Sequence, residues 1–482
     1  MDLRRSRNLI AVGTTLAAAM AFTATVPGAG TSAAAPARHA GYPAVQPMLP
    51  RHVHFLASAD AAPPGPGYSA VSRHFTPPQI QNSYNLPALY AEGLDGSGKT
   101  IAIVDSFGYP QAGADLEQFS KDYGLPLMCG MPDVACEPGM AKFSTLTFGN
   151  HQVRQAPDNQ SPGMEDSNAW SVEVALDIEY AHTVAPGANI LLVATPTAET
   201  LGVQGFPNMM DAEQYLVDHH LADVVTQSFG AAEGSFGSAK SLQQLRHAFQ
   251  TGTAQGMTFL ASSGDYGSVG TTKQPVGQGG SQLSTPQVGW PASDPLVTAV
   301  GGTTLCTDAY TGTTVDSVNP PADCQDNPGQ REVGWNGSGG GFSQVFARPA
   351  YQDSLPAGST TIPASSRGVP DISMNASCTS WVVVLDTAPG FGGYYGVCGT
   401  SEASPMFAGV VAIADQAAGH DLGLLNQQLY ALRPPSYDVT SGNNTQDGSG
   451  VPGYAAGTGW DPVTGLGTPA DAQAFVHALA GS

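Results

Sequence analysis

MTFLASSGD, residues 257–265, is a run of apolar and small side chains that stops abruptly at Gly264 and Asp265. Such a run followed by a Gly-flanked turn reads as a buried strand that delivers a carboxyl group to the loop beyond its end. The runs IAIVD (101–105), NILLVAT (189–195), DVVTQSFG (223–230) and LVTAVGGTT (296–304) repeat the pattern, with helical stretches between them. This alternation predicts an α/β fold with a mostly parallel central sheet flanked by helices. No internal repeat or low-complexity block interrupts it, so residues 76–482 are expected to form one domain.

The rest of the composition bounds what that domain does. Only 12% of the 482 residues are charged, there are 59 Gly and 38 Pro, and the formal charge is −22. A nucleic-acid binder would carry the opposite sign. Repulsion among so many carboxylates falls as they protonate, which suits work in acid, although solubility accounts for it equally well. At the start of the chain, Arg4, Arg5 and Arg7 precede an Ala-rich apolar run and then small residues up to Ala37. That is the form of a secretory signal, 1–37, and no later run is long enough for a membrane span. A soluble, secreted protein is expected. Residues 38–75, rich in Ala, Pro and Gly, read as a linker or short pro-segment.

Six cysteines in an exported chain are expected to pair. Their spacing suggests Cys129 with Cys136, Cys306 with Cys324 and Cys378 with Cys398, among the fifteen connectivities that six cysteines allow. None of the spacings resembles a zinc site.

Three constellations carry chemistry. GTSEASP (399–405), followed by MFAGVVAIADQAAG, places Ser401 at the start of a helix that ends at Gly419. Free N–H groups and the positive end of the helix dipole there can stabilise an oxyanion, although an N-cap serine looks the same. In WSVEVALDIEYAHTVAPG, Glu173 and Asp177 stand four apart on a helix that stops before Pro186. Two carboxylates on one face can share a proton and give one member a raised pKa suited to general-base work. Glu179 is left as an exposed carboxylate. Asp265 follows its strand at the carboxyl end, where α/β sites lie. Each has an ordinary reading as a cap, a solvated pair or a turn residue; their coincidence is what weighs.

With these motifs in hand, the chain resembles the sedolisins, the serine-carboxyl peptidases, over residues 76–482. Besides GTSEASP, EVALD and SSGDYG, it carries VGWPASDPLVTAVGGT, SGGGFS (338–343), RGVPDISMNA (367–376) and AAGTGWDPVTGLGTP in order. The resemblance implies a subtilisin-like fold and a single catalytic domain with a C-terminal calcium loop. It implies Ser401 as nucleophile, Glu173 as general base, Asp177 as the partner orienting Glu173, and Asp265 as an oxyanion-hole donor. For Ca2+ it implies the carboxylates of Asp438 and Asp461 and the carbonyls of Val439, Gly457 and Gly459. The expected substrates are proteins or peptides, cleaved by a monomer as an endopeptidase or a tripeptidyl peptidase. QSFG (227–230) and SGGGFS are expected to contact the extended substrate. A Glu base accepts a proton only while ionised, and Asp265 donates to an oxyanion only while protonated. With ordinary carboxyl pKa values near 4, that overlap is best at about pH 3–5.

Two other readings compete. IAIVD ends at Asp105, where an Asp-His-Ser triad of subtilisin type could begin. No His-Gly-Thr string follows, and His151 and His182 lie in no special context, so Asp105 reads as a strand-end aspartate. A catalytically silent secreted scaffold or binding protein of the same fold is the other reading. Family precursors usually carry a large N-terminal prodomain. Only about forty residues separate signal and catalytic region here, too few for a stable domain.

Overall fold

The structure, a computed structural model, describes residues 46–47, 53–65, 67–68, 73–148, 167–196, 205–271, 282–310 and 320–481. The expected leader and His151 lie outside them.

Among the described residues the central sheet has eight strands: β1 (Thr100–Ser106), β2 (Phe143–Thr147), β3 (Asn189–Thr195), β4 (Val224–Gln227), β5 (Thr258–Ser262), β6 (Thr298–Leu305), β7 (Glu332–Gly334) and β8 (Ile372–Asn375). Their order is β7-β6-β5-β4-β1-β3-β2, with β8 also paired to β6. Every pair is parallel except β6 with β7. In β1, Ile101 and Ile103 join the core on one face while Ala102 and Val104 join that on the other. Burial on both faces is why the strands read as unbroken apolar runs instead of alternating ones.

Five helices position the site: α1 (Ala112–Tyr123), α2 (Ser167–Val184), α3 (Phe206–His219), α4 (His247–Ala254) and α5 (Thr400–Ala418). α2 and α5 pack together over the face of Ile101 and Ile103, and α3 and α4 cover the other face. α5 ends at Gly419 in the left-handed conformation, as its sequence predicts. Residues 170–184 of α2 are all buried, because the helix runs between the sheet, α5, α1 and the strand Ser380–Asp386. Glu179 is therefore not the exposed carboxylate expected from the sequence. It is fully buried and accepts the backbone N–H of Leu385 at 3.1 and 3.3 Å.

Within 38–75, the expected linker or short pro-segment, the described residues include strands. His54–Ser58 pairs antiparallel with Gly393–Val397, and Arg73–Phe75 pairs parallel with Ser380–Asp386, as members of a second, five-stranded sheet. The three expected disulfides are formed.

Candidate active site

Ser401 is the second residue of α5, fully buried. Gly399 before it has φ 138°, a conformation open to glycine and strained for other residues, and its N–H donates to Ala376 O at 2.8 Å. Pro405 has no N–H to return to the carbonyl four residues back, so the Ser401 carbonyl lacks its helical donor. The hydroxyl of Ser228 lies 3.5 Å from that carbonyl oxygen.

Ser228, expected from the sequence only as part of the substrate-contacting QSFG, has a further place here. It follows β4 directly, and its Oγ donates to Asp177 Oδ1 at 3.0 Å. A single hydroxyl thus stands between the carboxylate helix and the main chain of Ser401. Only its position in QSFG, at the carboxyl end of a central strand, pointed toward it.

Asp265, beyond β5, is anchored to the same helix start. Its Oδ1 accepts the Thr400 N–H at 2.7 Å and the Thr400 hydroxyl at 2.8 Å, while Thr400 Oγ1 accepts Gly264 N–H at 3.0 Å. The residue clamped is the one immediately before Ser401. SGGGFS packs behind this turn: a Cβ on Gly339 would lie 2.0 Å from the Ser263 carbonyl oxygen, and one on Gly340 would lie 1.9 Å from that of Pro462. The close approach that requires these glycines is made to the protein's own backbone.

Glu173 and Asp177 are both fully buried, one turn apart on α2. Burial pushes the Asp177 carboxyl well above the usual range, the charges of Asp105 and Glu173 push it further, and the Ser228 hydrogen bond opposes them. Asp105 thus has a place the strand-end reading missed. Two residues beyond Ile103, it falls on the α2 side of β1, fully buried, with neither carboxylate oxygen hydrogen-bonded, and burial raises its pKa strongly. The sequence signal was there, in a charged residue ending an otherwise apolar buried run.

Among the described residues no histidine is hydrogen-bonded to Asp105. His182 sits on α2 with its Nε2 donating to Pro126 O at 2.8 Å, and burial lowers its pKa to about 4.

The C-terminal loop is a separate place. Asp438 accepts Gly459 N–H with both oxygens, at 3.1 and 3.0 Å. Asp461 Oδ2 accepts Gly457 N–H at 3.0 Å, and Oδ1 accepts the N–H groups of Val463 and Thr464 at 2.8 and 2.9 Å. Among the described residues no cluster of three or more His, Cys, Asp or Glu side chains is placed to hold a metal.

Residues 156–432 match the profile of the subtilase family. The chain is 32% identical over 435 residues to kumamolisin from Bacillus sp. (strain MN-32), covering 88% of this chain and 67% of that protein. It is 30% identical over 396 residues to sedolisin from Pseudomonas sp. (strain 101), covering 80% of this chain and 59% of that protein. The solved structure of Pseudomonas sedolisin, a serine-carboxyl proteinase complexed with pseudo-iodotyrostatin, superposes with TM-score 0.61 at 28% identity, over 84% of this chain and 97% of that one.

Proposed function

Since the chain belongs to the subtilase family, on its sedolisin branch of serine-type peptidases, we propose that it is a secreted, acid-acting serine-carboxyl peptidase that cleaves protein or peptide substrates as a monomer. Ser401 Oγ attacks the scissile carbonyl carbon as its proton passes to Glu173, and the C=O electron pair moves onto the oxygen. The resulting oxyanion takes hydrogen bonds from protonated Asp265 and the N–H of Ser401. Collapse expels the amine with the proton from Glu173 and leaves an acyl-enzyme on Ser401. Water then attacks it, with Glu173 again taking and returning the proton. Asp177 orients Glu173.

The observation that carries this reading is the double clamp of Asp265 on Thr400, which keeps a carboxyl group beside the nucleophile's own N–H. A protonated carboxyl would serve there as a hydrogen-bond donor to the oxyanion. The direct test is peptide hydrolysis at pH 4 by folded Ser401→Ala and Glu173→Gln proteins. Both should be inactive, and activity in Glu173→Gln with none in Asp105→Asn would return the subtilisin-type reading.

The three disulfides support an oxidising destination and hence secretion. The C-terminal loop fits calcium in donor chemistry. Two carboxylates, Asp438 and Asp461, are tied to one loop through the N–H groups of Gly459 and Gly457, and the remaining donors would be the carbonyls of Val439, Gly457 and Gly459. Three of the five donors would thus be main-chain oxygens. When bound, calcium would supply the positive charge that these two aspartates lack, and it would have no part in bond cleavage.

A further inference from the structure

The residue after the nucleophile is Glu402, and its side chain is fully buried. It stands in the first turn of α5, where an anion would lie in the same positive field that the oxyanion needs. Its surroundings show which form of the carboxyl the fold accommodates.

Its hydrogen-bond partner is Asn375, at the end of β8. Asn375 Oδ1 already accepts the Leu305 N–H at 3.0 Å and the Ser380 hydroxyl at 2.5 Å, and Nδ2 donates to Ser380 O at 2.7 Å. The amide orientation is therefore set by Ser380 and Leu305, and Nδ2 is the atom turned to Glu402 Oε1, at 2.6 Å. Glu402 Oε2 has no hydrogen-bond partner. The titratable groups facing Glu402 are Asp265 from the loop after β5, Tyr180 from α2 and Tyr84. Tyr180 gives its hydroxyl to Val383 O at 2.9 Å, and Tyr84 gives its own to Glu332 Oε2 at 3.3 Å. Among the described residues no cation acts on Glu402. An ionised carboxylate with one unpaired oxygen in such a place is disfavoured by several independent effects.

We propose, resting on the reading of Ser401 as nucleophile, that Glu402 is a positioning residue: as an uncharged acid held by Asn375, it fixes the first turn of α5 and leaves that turn's positive field to the oxyanion. Asn375 grips the acceptor oxygen, and the proton resides on Oε2. Burial first, and then the charge of Asp265, raise the Glu402 pKa well above its ordinary value, with the Asn375 hydrogen bond opposing. A carboxyl raised on folding contributes stability that is complete below its unfolded pKa of about 4.3 and is lost as pH rises toward the folded value. Gln at this position reproduces the neutral acid, accepting through Oε1 and never ionising.

The test has two arms. In Ser401→Ala protein, which cannot digest itself, addition of Glu402→Gln should leave the melting temperature unchanged at pH 4 and raise it by a few degrees at pH 7. In active enzyme, Glu402→Gln should keep kcat at pH 4, whereas Glu402→Ala and Asn375→Ala should lower it about tenfold with little change in KM. An equal shift in melting temperature at both pH values, or a loss of kcat in Glu402→Gln as large as in Glu402→Ala, overturns the proposal. The melts do not depend on activity, so they stand apart from failure of the nucleophile assignment, which would show as proteolysis by Ser401→Ala protein.

Discussion

Two sets of aspartates in this molecule are treated in opposite ways. In the C-terminal loop, both oxygens of Asp461 and both of Asp438 accept backbone N–H groups. Beneath α2 and α5, Asp105 accepts none, and Asp177 takes a single bond from Ser228. Burial acts on both regions and raises Asp461 only to about 6, because its N–H donors stabilise the anion, whereas at the site other carboxylates add to the rise. The difference separates carboxylates held by main-chain donors from carboxylates with few donors and other carboxylates for neighbours.

The sharpest way to break this contrast is at the chemistry itself. Ser401→Ala and Glu173→Gln should each lower kcat/KM by at least about 10⁴-fold while far-UV circular dichroism stays that of the parent. Next in size is Asp265→Ala, expected to lower kcat by about 10²–10³-fold. Asp265→Asn, whose amide donates at every pH, should lose less at neutral pH than at acid pH. An acid profile unchanged in both variants would remove Asp265 from the mechanism.

At the loop, calcium bound only to the folded state would add about 2.7 kcal/mol at a hundredfold excess over Kd. Chelation of Ser401→Ala protein at pH 7 should therefore lower its melting temperature, and Asp461→Ala should do so without chelator. Binding requires ionised Asp461, so with its pKa near 6 the chelator effect should shrink from pH 7 to pH 4. A melt indifferent to both, with no calcium by elemental analysis, would leave an ordinary Gly-rich loop.

The smallest expected effect sharpens the other side. Burial keeps Asp105 protonated at acid pH, so Asp105→Asn should retain most activity at pH 4 with an unchanged acid profile, and it should ease ionisation of Asp177 only at the higher pH where Asp105 itself would ionise. A folded but inactive Asp105→Asn enzyme would make Asp105 a member of the catalytic set instead of a neighbour that tunes it.

What the sequence by itself determined is what local rules govern. Gly399, Pro405 and Gly419 mark the conformation and limits of α5, apolar runs mark the central strands, and short separations let each cysteine find its partner. The order of motifs named the family before any contact was known. Contacts between distant segments were decided only by the tertiary structure. Glu173 and Glu179 lie on one helix and differ little in local sequence. Both became buried because α2 is enclosed on every side, a property of its neighbours and not of its own periodicity. His54–Ser58 is a strand because Gly393–Val397 offers it an edge more than three hundred residues away. Ser228, Asp105 and Glu402 acquire meaning only where separate strand ends and helices meet, because electrostatic and hydrogen-bond effects depend on distance in space, which spacing along the chain does not encode.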